Sequence, residues 1–171
     1  MEQTVLLSGQ PGVGKTTLIK RAIAFLPGYW GGFYTQEIRG TKSRLGFEIV
    51  TLDGQQALLA HVDKPGTPRV GKYGVYVENV DRVAVPALYR AVEEADYVVI
   101  DEIGKMELLS EKFRAAVLYV VQSPKRVLGT IIWQQHPWAD ALKNLPGVCV
   151  VTVTLANRQH LLHQILPLLV G

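Results

Sequence analysis

A glycine-rich stretch near the start of the chain, Gly9-Gln10-Pro11-Gly12-Val13-Gly14-Lys15-Thr16, decides the fold. It matches the phosphate-loop pattern G-x-x-x-x-G-K-[ST], which is informative when a strand precedes it and a helix follows it. The apolar segment before it, Thr4–Ser8, predicts a short buried strand. Residues 15–26 carry apolar side chains at helical spacing, and Pro27 and Gly28 end that pattern. Strand, loop and helix together predict an α/β fold with an anion site at the loop.

The residue types in this loop suit the binding of a nucleoside triphosphate. Glycines let successive backbone N–H groups turn toward the β- and γ-phosphates at the N-terminus of a helix. Lys15 is predicted to bridge phosphate oxygens and to act in catalysis, and the Thr16 hydroxyl is predicted to be a ligand of Mg²⁺. A glycine-rich turn with an incidental lysine is the alternative, which the complete match in this context disfavours. The predicted nucleotide-binding residues of the loop are Gly9, Gln10, Pro11, Gly12, Val13, Gly14, Lys15, Thr16 and Thr17.

Two adjacent acids, Asp101 and Glu102, follow the apolar run 97–100. An apolar strand that ends in acids is typical of the Walker B strand of phosphate-loop proteins. Asp101 is predicted to hold a water of the Mg²⁺ shell. Glu102 is predicted to polarise the water that attacks the γ-phosphate. The alternative is an ordinary polar connection between a strand and a helix, which the presence of the phosphate loop disfavours.

The rest of the chain predicts a mostly parallel sheet covered by helices, with an antiparallel hairpin insert at residues 31–77. Within the insert the alternating segments 32–39, 47–52 and 57–62 predict strands, separated by hairpin-type turns. Beyond it, strands and helices alternate, and ligands of such sheets bind at the carboxyl ends of the strands. We expect one domain over residues 1–171. The predicted helices are 82–95, 110–122, 137–145 and 156–169, and the predicted strands are 97–101, 126–132 and 148–154.

Composition agrees with a single globular domain. The 171 residues are 48% hydrophobic and 19% charged, and the single cysteine, Cys149, lies in an apolar run where a buried thiol is expected. No apolar run is long enough to cross a bilayer. The net charge of +3 suits a small anionic ligand but is weak for a nucleic-acid-binding protein. We therefore expect a monomeric cytoplasmic protein that does not bind membranes or nucleic acid.

The segment Asp101-Glu102-Ile103-Gly104-Lys105-Met106-Glu107, together with the phosphate loop, resembles a family of small nucleoside triphosphatases. The family occurs in thermophilic prokaryotes and, as the cancer-related nucleoside triphosphatase, in animals. The resemblance extends over nearly the whole chain and includes residues 32–39, 46–50, 70–75 and 157–158. It implies a RecA-like three-layer sandwich, dependence on Mg²⁺, and hydrolysis of ATP, GTP, CTP and UTP with little base selectivity.

Two positions depart from the pattern of that family. Gln36 stands where the family usually has Glu, and Tyr76 lies where an acidic residue is frequent. If either acid helped to orient metal or substrate, this protein would do without it. The chain also lacks the guanine-reading pattern Asn-Lys-x-Asp, which agrees with broad base tolerance.

Three further residues are candidates for the site. Lys105 could stabilise charge on the γ-phosphate in place of an arginine finger, or it could pair with Glu107 or cap surface structure. Asn157 and Arg158 follow the last predicted strand, where a nucleobase would lie, and Arg158 could stack on the base. A polar pair at the start of a helix is the alternative for these two.

Other polar residues offer weaker hypotheses. Arg39, Lys42 and Arg44 crowd a predicted hairpin tip and could close over phosphates, although charged hairpin tips are usually only solvated. Thr130, near the end of strand 126–132, could sense the γ-phosphate.

Two other functions compete with hydrolysis. A nucleotide or nucleoside kinase uses a similar phosphate loop but needs a second pocket for its acceptor, and kinases commonly carry several arginines near the γ-phosphate. Beyond Arg39 and Arg44 the chain offers little of that kind. A motor or assembly module would instead show triphosphatase activity stimulated by nucleic acid or a protein partner. Its basic face would also be larger than a net charge of +3 suggests.

Overall fold

The computed structural model describes residues 3–171. Within these residues, nine strands form one sheet in the order β5-β6-β4-β3-β2-β7-β8-β1-β9. The strands are β1 Thr4–Ser8, β2 Trp30–Arg39, β3 Arg44–Thr51, β4 Gln56–His61, β5 Arg69–Val70, β6 Tyr73–Val75, β7 Tyr97–Ile103, β8 Arg126–Ile131 and β9 Val148–Thr152. The helices are α1 Lys15–Phe25, α2 Val77–Asn79, α3 Val85–Glu94, α4 Glu111–Gln122, α5 Pro137–Lys143 and α6 Leu161–Val170.

The sheet has a parallel part and an antiparallel part. Neighbouring strands from β2 through β7, β8 and β1 to β9 pair in parallel. Strands β3, β4, β6 and β5 continue the same sheet in antiparallel pairs. The predicted insert is therefore an edgewise extension of the sheet, beginning with the outer half of β2. It adds two strands, β5 and β6, that are too short to give a periodic signal in the sequence.

In the described part of the chain, two apolar clusters hold the three layers together. In β1, Leu6 joins the cluster that contains buried residues of α3 and α4, whereas Val5 and Leu7 join the cluster with α1 and α6. This division follows from the two-residue period of a strand, which sends successive side chains to opposite faces. Phe33 of β2 and Phe113 of α4 meet edge to face at a centroid distance of 5.9 Å.

Three local predictions need correction. The helix predicted over 82–95 is regular only in α3, and residues Val80–Ala84 form a π-helical turn after α2. Pro86, at the start of α3, has no N–H for the carbonyl of Arg82, so a regular α-helix cannot run through this point. Cys149 is only half-buried because β9 is an edge strand.

The last predicted helix begins later than expected. Residues 155–160 form turns, and α6 starts at Leu161. The Asn157 side chain explains the delay, since its carbonyl accepts from the Thr154 N–H (2.8 Å) and its amide donates to the Thr152 carbonyl (2.9 Å). Such local side-chain bonds compete with helix formation.

Candidate active site

The phosphate loop joins β1 to α1 and presents its backbone at the start of that helix. Gly12 has φ 79° and Gly14 has φ 105°, a left-handed conformation that a residue with a Cβ rarely adopts. Gly14 is the N-cap of α1, and its carbonyl accepts the first helical bond from the Leu18 N–H at 3.0 Å. The unpaired N–H groups of the first turn therefore lie where the helix dipole favours an anion.

Lys15 lies against its own loop. Its ammonium donates to the Gly9 carbonyl at 2.5 Å and to the Gln10 carbonyl at 3.3 Å. Burial lowers the pKa of Lys15, and the negative charges of Glu102 and Asp101 oppose that shift. The loop lysine and the acid pair, which are far apart in sequence, thus share one electrostatic environment.

Asp101 links the loop to β7 and β8. Its Oδ2 accepts from the Thr16 hydroxyl at 2.8 Å, and its Oδ1 accepts from the Thr130 hydroxyl at 2.7 Å. The residue is 2% exposed, and burial raises the pKa of its carboxyl group, whereas the two hydroxyl donors and Lys15 oppose the shift. Thr130 therefore contacts Asp101, a role that the sequence did not indicate.

Glu102 is the next residue on β7, and its side chain packs over Gly104. A Cβ added at Gly104 would lie 2.7 Å from Glu102 Oε1 and 2.9 Å from its carboxyl carbon, so only glycine leaves room for this side-chain position. Burial, and then the charge of Asp101, raise the pKa of Glu102. The carboxylate thus lines the cleft beside the loop with its position limited by the backbone beneath it.

Glu107 occupies the 3-10 turn Glu107–Leu109 and is 3% exposed. Its Oε2 accepts from the Gly104 N–H at 3.1 Å. Burial, followed by the charge of Glu102, raises the pKa of Glu107 well above its ordinary value. The alternative in which Lys105 pairs with Glu107 is wrong, because in residues 3–171 Lys105 forms no ion pair with any carboxylate and Glu107 lies inside the turn.

An open cleft of about 630 Å³ lies in front of these groups. Of the predicted catalytic and metal-binding residues, Lys15, Thr16, Asp101, Glu102 and Lys105 all line it. The structure therefore brings together residues from the phosphate loop, β7 and the turn that follows β7. This convergence agrees with the predicted arrangement at the carboxyl ends of parallel strands.

The oxygen atoms of Thr16 and Asp101 suit a divalent cation whose other ligands are water and the phosphates of a bound nucleotide. Within residues 3–171 no group of three or more His, Cys, Asp or Glu side chains could hold a metal by itself. Thr16 and Asp101 supply one hydroxyl and one carboxylate at hydrogen-bond distance. A hard cation bound through one or two protein oxygens and the phosphates of a nucleotide needs no more than that.

Asn157 and Arg158 do not line the cleft. Arg158 donates from Nη1 to the Val13 carbonyl at 3.4 Å, and its aliphatic stem lies beside Gly14, where an added Cβ would be 3.7 Å from Cδ. Arg158 thus braces the phosphate loop from outside, and the Asn157 side chain is used within its own turn. Contact of these two residues with a nucleobase stays a prediction.

The fold and this set of residues match a known group of proteins. A family model described as NTPase matches residues 4–166. The chain belongs to this NTPase family. Relatives within the NTPase family include the nucleoside-triphosphatase THEP1 of Thermotoga maritima, 45% identical over 165 residues that cover 96% of this chain and 94% of the relative. The THEP1 of Methanocaldococcus jannaschii is 42% identical over 166 residues that cover 95% of this chain and 94% of the relative.

Two solved structures show the same architecture. The crystal structure of THEP1 from the hyperthermophile Aquifex aeolicus superimposes with a TM-score of 0.88 at 38% identity, covering 97% of this chain and 98% of that one. The solution structure of a human cancer-related nucleoside triphosphatase superimposes with a TM-score of 0.78 at 38% identity, covering 98% of this chain and 96% of that one. The predicted α/β phosphate-loop fold and the resemblance to this family are confirmed. No helix among the described residues is both long and apolar enough to span a membrane.

Proposed function

We propose that this protein hydrolyses the bond between the β- and γ-phosphates of a nucleoside triphosphate, with Mg²⁺, to give a nucleoside diphosphate and phosphate. The observation that carries the proposal is the 2.8 Å hydrogen bond from Thr16 to Asp101, with Glu102 next to Asp101 on the same strand. It joins the two halves of a phosphate-transfer site, and the names of the relatives agree with it.

The residues divide the work as follows. The N–H groups of the loop and Lys15 bind the β- and γ-phosphates and neutralise charge that develops on them. Thr16 and Asp101 would hold Mg²⁺, directly or through water, and the ion would supply charge stabilisation between the two phosphates. Glu102 accepts a proton from the attacking water, and its raised pKa suits that task. Lys105, exposed at the rim of the cleft, is in a position to pair with the γ-phosphate.

The site favours the polyphosphate over the base. Its charged residues Lys15, Asp101, Glu102 and Lys105 line the part of the cleft where the phosphates would bind, and the chain has no guanine-reading Asn-Lys-x-Asp pattern. We therefore propose that ATP, GTP, CTP and UTP are all substrates, with Asn157 and Arg158 near the base. The monomeric state, the cytoplasmic location and the absence of nucleic-acid binding stay predictions from the sequence.

Phosphate release with each of the four nucleoside triphosphates, with Mg²⁺ or with excess chelator, tests this proposal. We expect release with all four and its loss on removal of the metal. Lys15→Ala should lose both nucleotide binding and release, whereas Lys112→Ala, at an exposed position on α4, should change neither. Release that is independent of Mg²⁺ and of Lys15 would reject the proposal.

A further inference from the structure

The cleft continues past Glu102, away from the phosphate loop. Its far part, which we call the distal half-cleft, lies against the first strands of the antiparallel extension. Its lining includes Thr35, Gln36, Glu37, Arg44, Phe47 and Met106. The proposed hydrolysis of a nucleoside triphosphate assigns no task to these six residues. The whole cleft, about 630 Å³, has the size of a small-molecule site, for which roughly 300–1,000 Å³ is usual.

Strand order puts the distal half-cleft on the side from which the γ-phosphate is attacked. The phosphate loop follows β1, Glu102 is on β7, and β2 and β3 lie beyond β7 in the sheet. A nucleophile must approach the γ-phosphorus opposite the leaving oxygen, roughly in line with it. Seen from the loop, that approach runs past Glu102 toward β2 and β3. A molecule bound in the distal half-cleft would therefore be placed where the attacking water is otherwise expected.

Arg44 gives this half-cleft a fixed, planar wall. Its Nε donates to the Tyr73 hydroxyl at 3.0 Å, and its Nη1 donates to Glu37 Oε1 at 3.0 Å. The guanidinium carbon lies 4.8 Å from the centroid of the Phe47 ring. Two hydrogen bonds and a cation–π contact hold the group in one orientation, and Nη2 donates to no residue within 3–171. The guanidinium covers a face of the Phe47 ring, and the side of the guanidinium that faces away from Phe47 is a surface on which a planar ring can stack.

The distal half-cleft is close to neutral. Glu37 is paired with Arg44 and with Arg39, and the lining residue at position 36 is an amide, which donates to Glu48. Phe47 and Met106 add apolar surface. Asp101 and Glu102 would repel an anionic acceptor that approached the γ-phosphate from this side. The walls therefore favour an uncharged molecule with a planar ring and hydrogen-bonding edges over a phosphorylated one.

We propose that the distal half-cleft binds an uncharged hydroxyl compound with a planar ring, the chemical class of the nucleosides, and that the protein phosphorylates it. This inference rests on the proposed function, since the same bound triphosphate is the donor. The ring stacks on the Arg44 guanidinium, which Phe47 supports from the other side. Thr35 and Nη2 of Arg44 bond the polar edges of the ring, and a hydroxyl lies beside Glu102. Hydrolysis is then the reaction of water when no acceptor is bound.

The transfer step balances without any further reagent. The acceptor oxygen forms a bond to the γ-phosphorus while the bond from that phosphorus to the β–γ bridging oxygen breaks. The electron pair of the broken bond stays on the β-phosphate of the departing nucleoside diphosphate. The hydroxyl proton passes to the Glu102 carboxylate and then to solvent. The products are a nucleoside diphosphate and a phosphorylated acceptor.

In the test, the full chain is incubated with Mg²⁺ and a nucleoside triphosphate labelled with ³²P at the γ-phosphate, and the fate of the label is followed. Adenosine, guanosine, cytidine and uridine are supplied in turn, and labelled nucleoside monophosphate and labelled phosphate are both measured. We expect labelled monophosphate with at least one nucleoside, and less transfer when the nucleoside monophosphates are supplied in their place. Phe47→Leu should lower the ratio of transferred to released phosphate about tenfold, because the aromatic face that orients the Arg44 guanidinium is lost while apolar volume is kept. Tyr89→Leu, an exposed aromatic on α3 outside the cleft, is the matched control and should leave the ratio unchanged.

The outcomes separate the two proposals. Phosphate release without labelled monophosphate from any nucleoside overturns the acceptor site and leaves hydrolysis standing. Transfer that is unaffected by Phe47→Leu also overturns the site assigned here. Transfer without release supports the acceptor site and rejects hydrolysis as the activity. If neither labelled phosphate nor labelled monophosphate is formed, both proposals are rejected.

Discussion

Asp101 accepts a hydrogen bond from Thr16 at 2.8 Å, although the two residues are 85 positions apart in the sequence. This bond joins the phosphate loop after β1 to the acid near the end of β7. Strand β8 lies between β1 and β7 in the sheet and contributes Thr130, which bonds the other oxygen of the same carboxylate. The proposed metal-binding pair is therefore supported by three neighbouring parallel strands.

Glu102→Gln should abolish most hydrolysis while it leaves binding of the Mg²⁺-nucleotide nearly unchanged. The amide keeps the size of the side chain but cannot accept the proton of water, and a general base contributes about 10²–10⁴ in rate. Single-turnover phosphate release and fluorescent-nucleotide titration measure the two effects. Glu111→Gln, on a side chain that is 91% exposed, is the control. Wild-type turnover in Glu102→Gln would remove Glu102 from the role of base.

Thr130→Val should weaken the apparent affinity for Mg²⁺ more than it weakens the fold. The substitution keeps the shape but removes the 2.7 Å bond to Asp101, and a buried acceptor left unpaired costs about 1–3 kcal/mol. We expect a higher Mg²⁺ concentration for half-maximal phosphate release, and Thr130→Ser should restore it. An unchanged Mg²⁺ titration in Thr130→Val would show that Thr130 does not position Asp101.

Gly104→Ala should reduce turnover through the position of Glu102. The new methyl group would lie 2.7 Å from Glu102 Oε1, so the carboxylate must move. We expect a lower kcat with retained nucleotide affinity, measured by phosphate release and by titration. Gly40→Ala is the matched control, since its methyl group would meet only the flexible end of Leu45 at 3.2 Å, outside the cleft. Equal losses in both variants would contradict the steric explanation.

Glu107→Gln should stabilise the nucleotide-free protein, and the gain should grow as the pH rises. Burial raises the folded-state pKa of Glu107 well above its ordinary value of 4.5. The folded protein thus holds a proton that the unfolded chain has already released above pH 4.5, so stability falls as pH rises from there through the folded pKa. Glutamine can still accept from the Gly104 N–H. Because its side chain does not titrate, it does not cause the loss of stability that Glu107 causes at rising pH. Urea unfolding at several pH values checks this, with the exposed Glu93→Gln as control.

Much of the site could be predicted because its key residues lie in short contiguous motifs. The phosphate loop directly follows a strand, Asp101 and Glu102 lie near the carboxyl end of another, and the residue types at these positions indicate the chemistry. The sequence does not predict the burial of Glu107, since nothing in a charged residue three positions after Gly104 indicates that its side chain folds back to accept from the Gly104 N–H. For Thr130 the sequence suggests only a contact with the γ-phosphate, because its partner Asp101 lies on a neighbouring strand.

The sequence alone determined the alternating α/β order, the anion site at the first helix and the acid pair that faces it, because local backbone geometry and hydrophobic periodicity are properties of consecutive residues. Only the tertiary structure decided that Arg158 braces the loop, that Glu107 is buried, and that β2 and β3 extend the cleft with Arg44 fixed over Phe47. Those features depend on which strands are neighbours in the sheet. Pairing between distant strands is set by the packing of the whole core, which no short stretch of the chain contains.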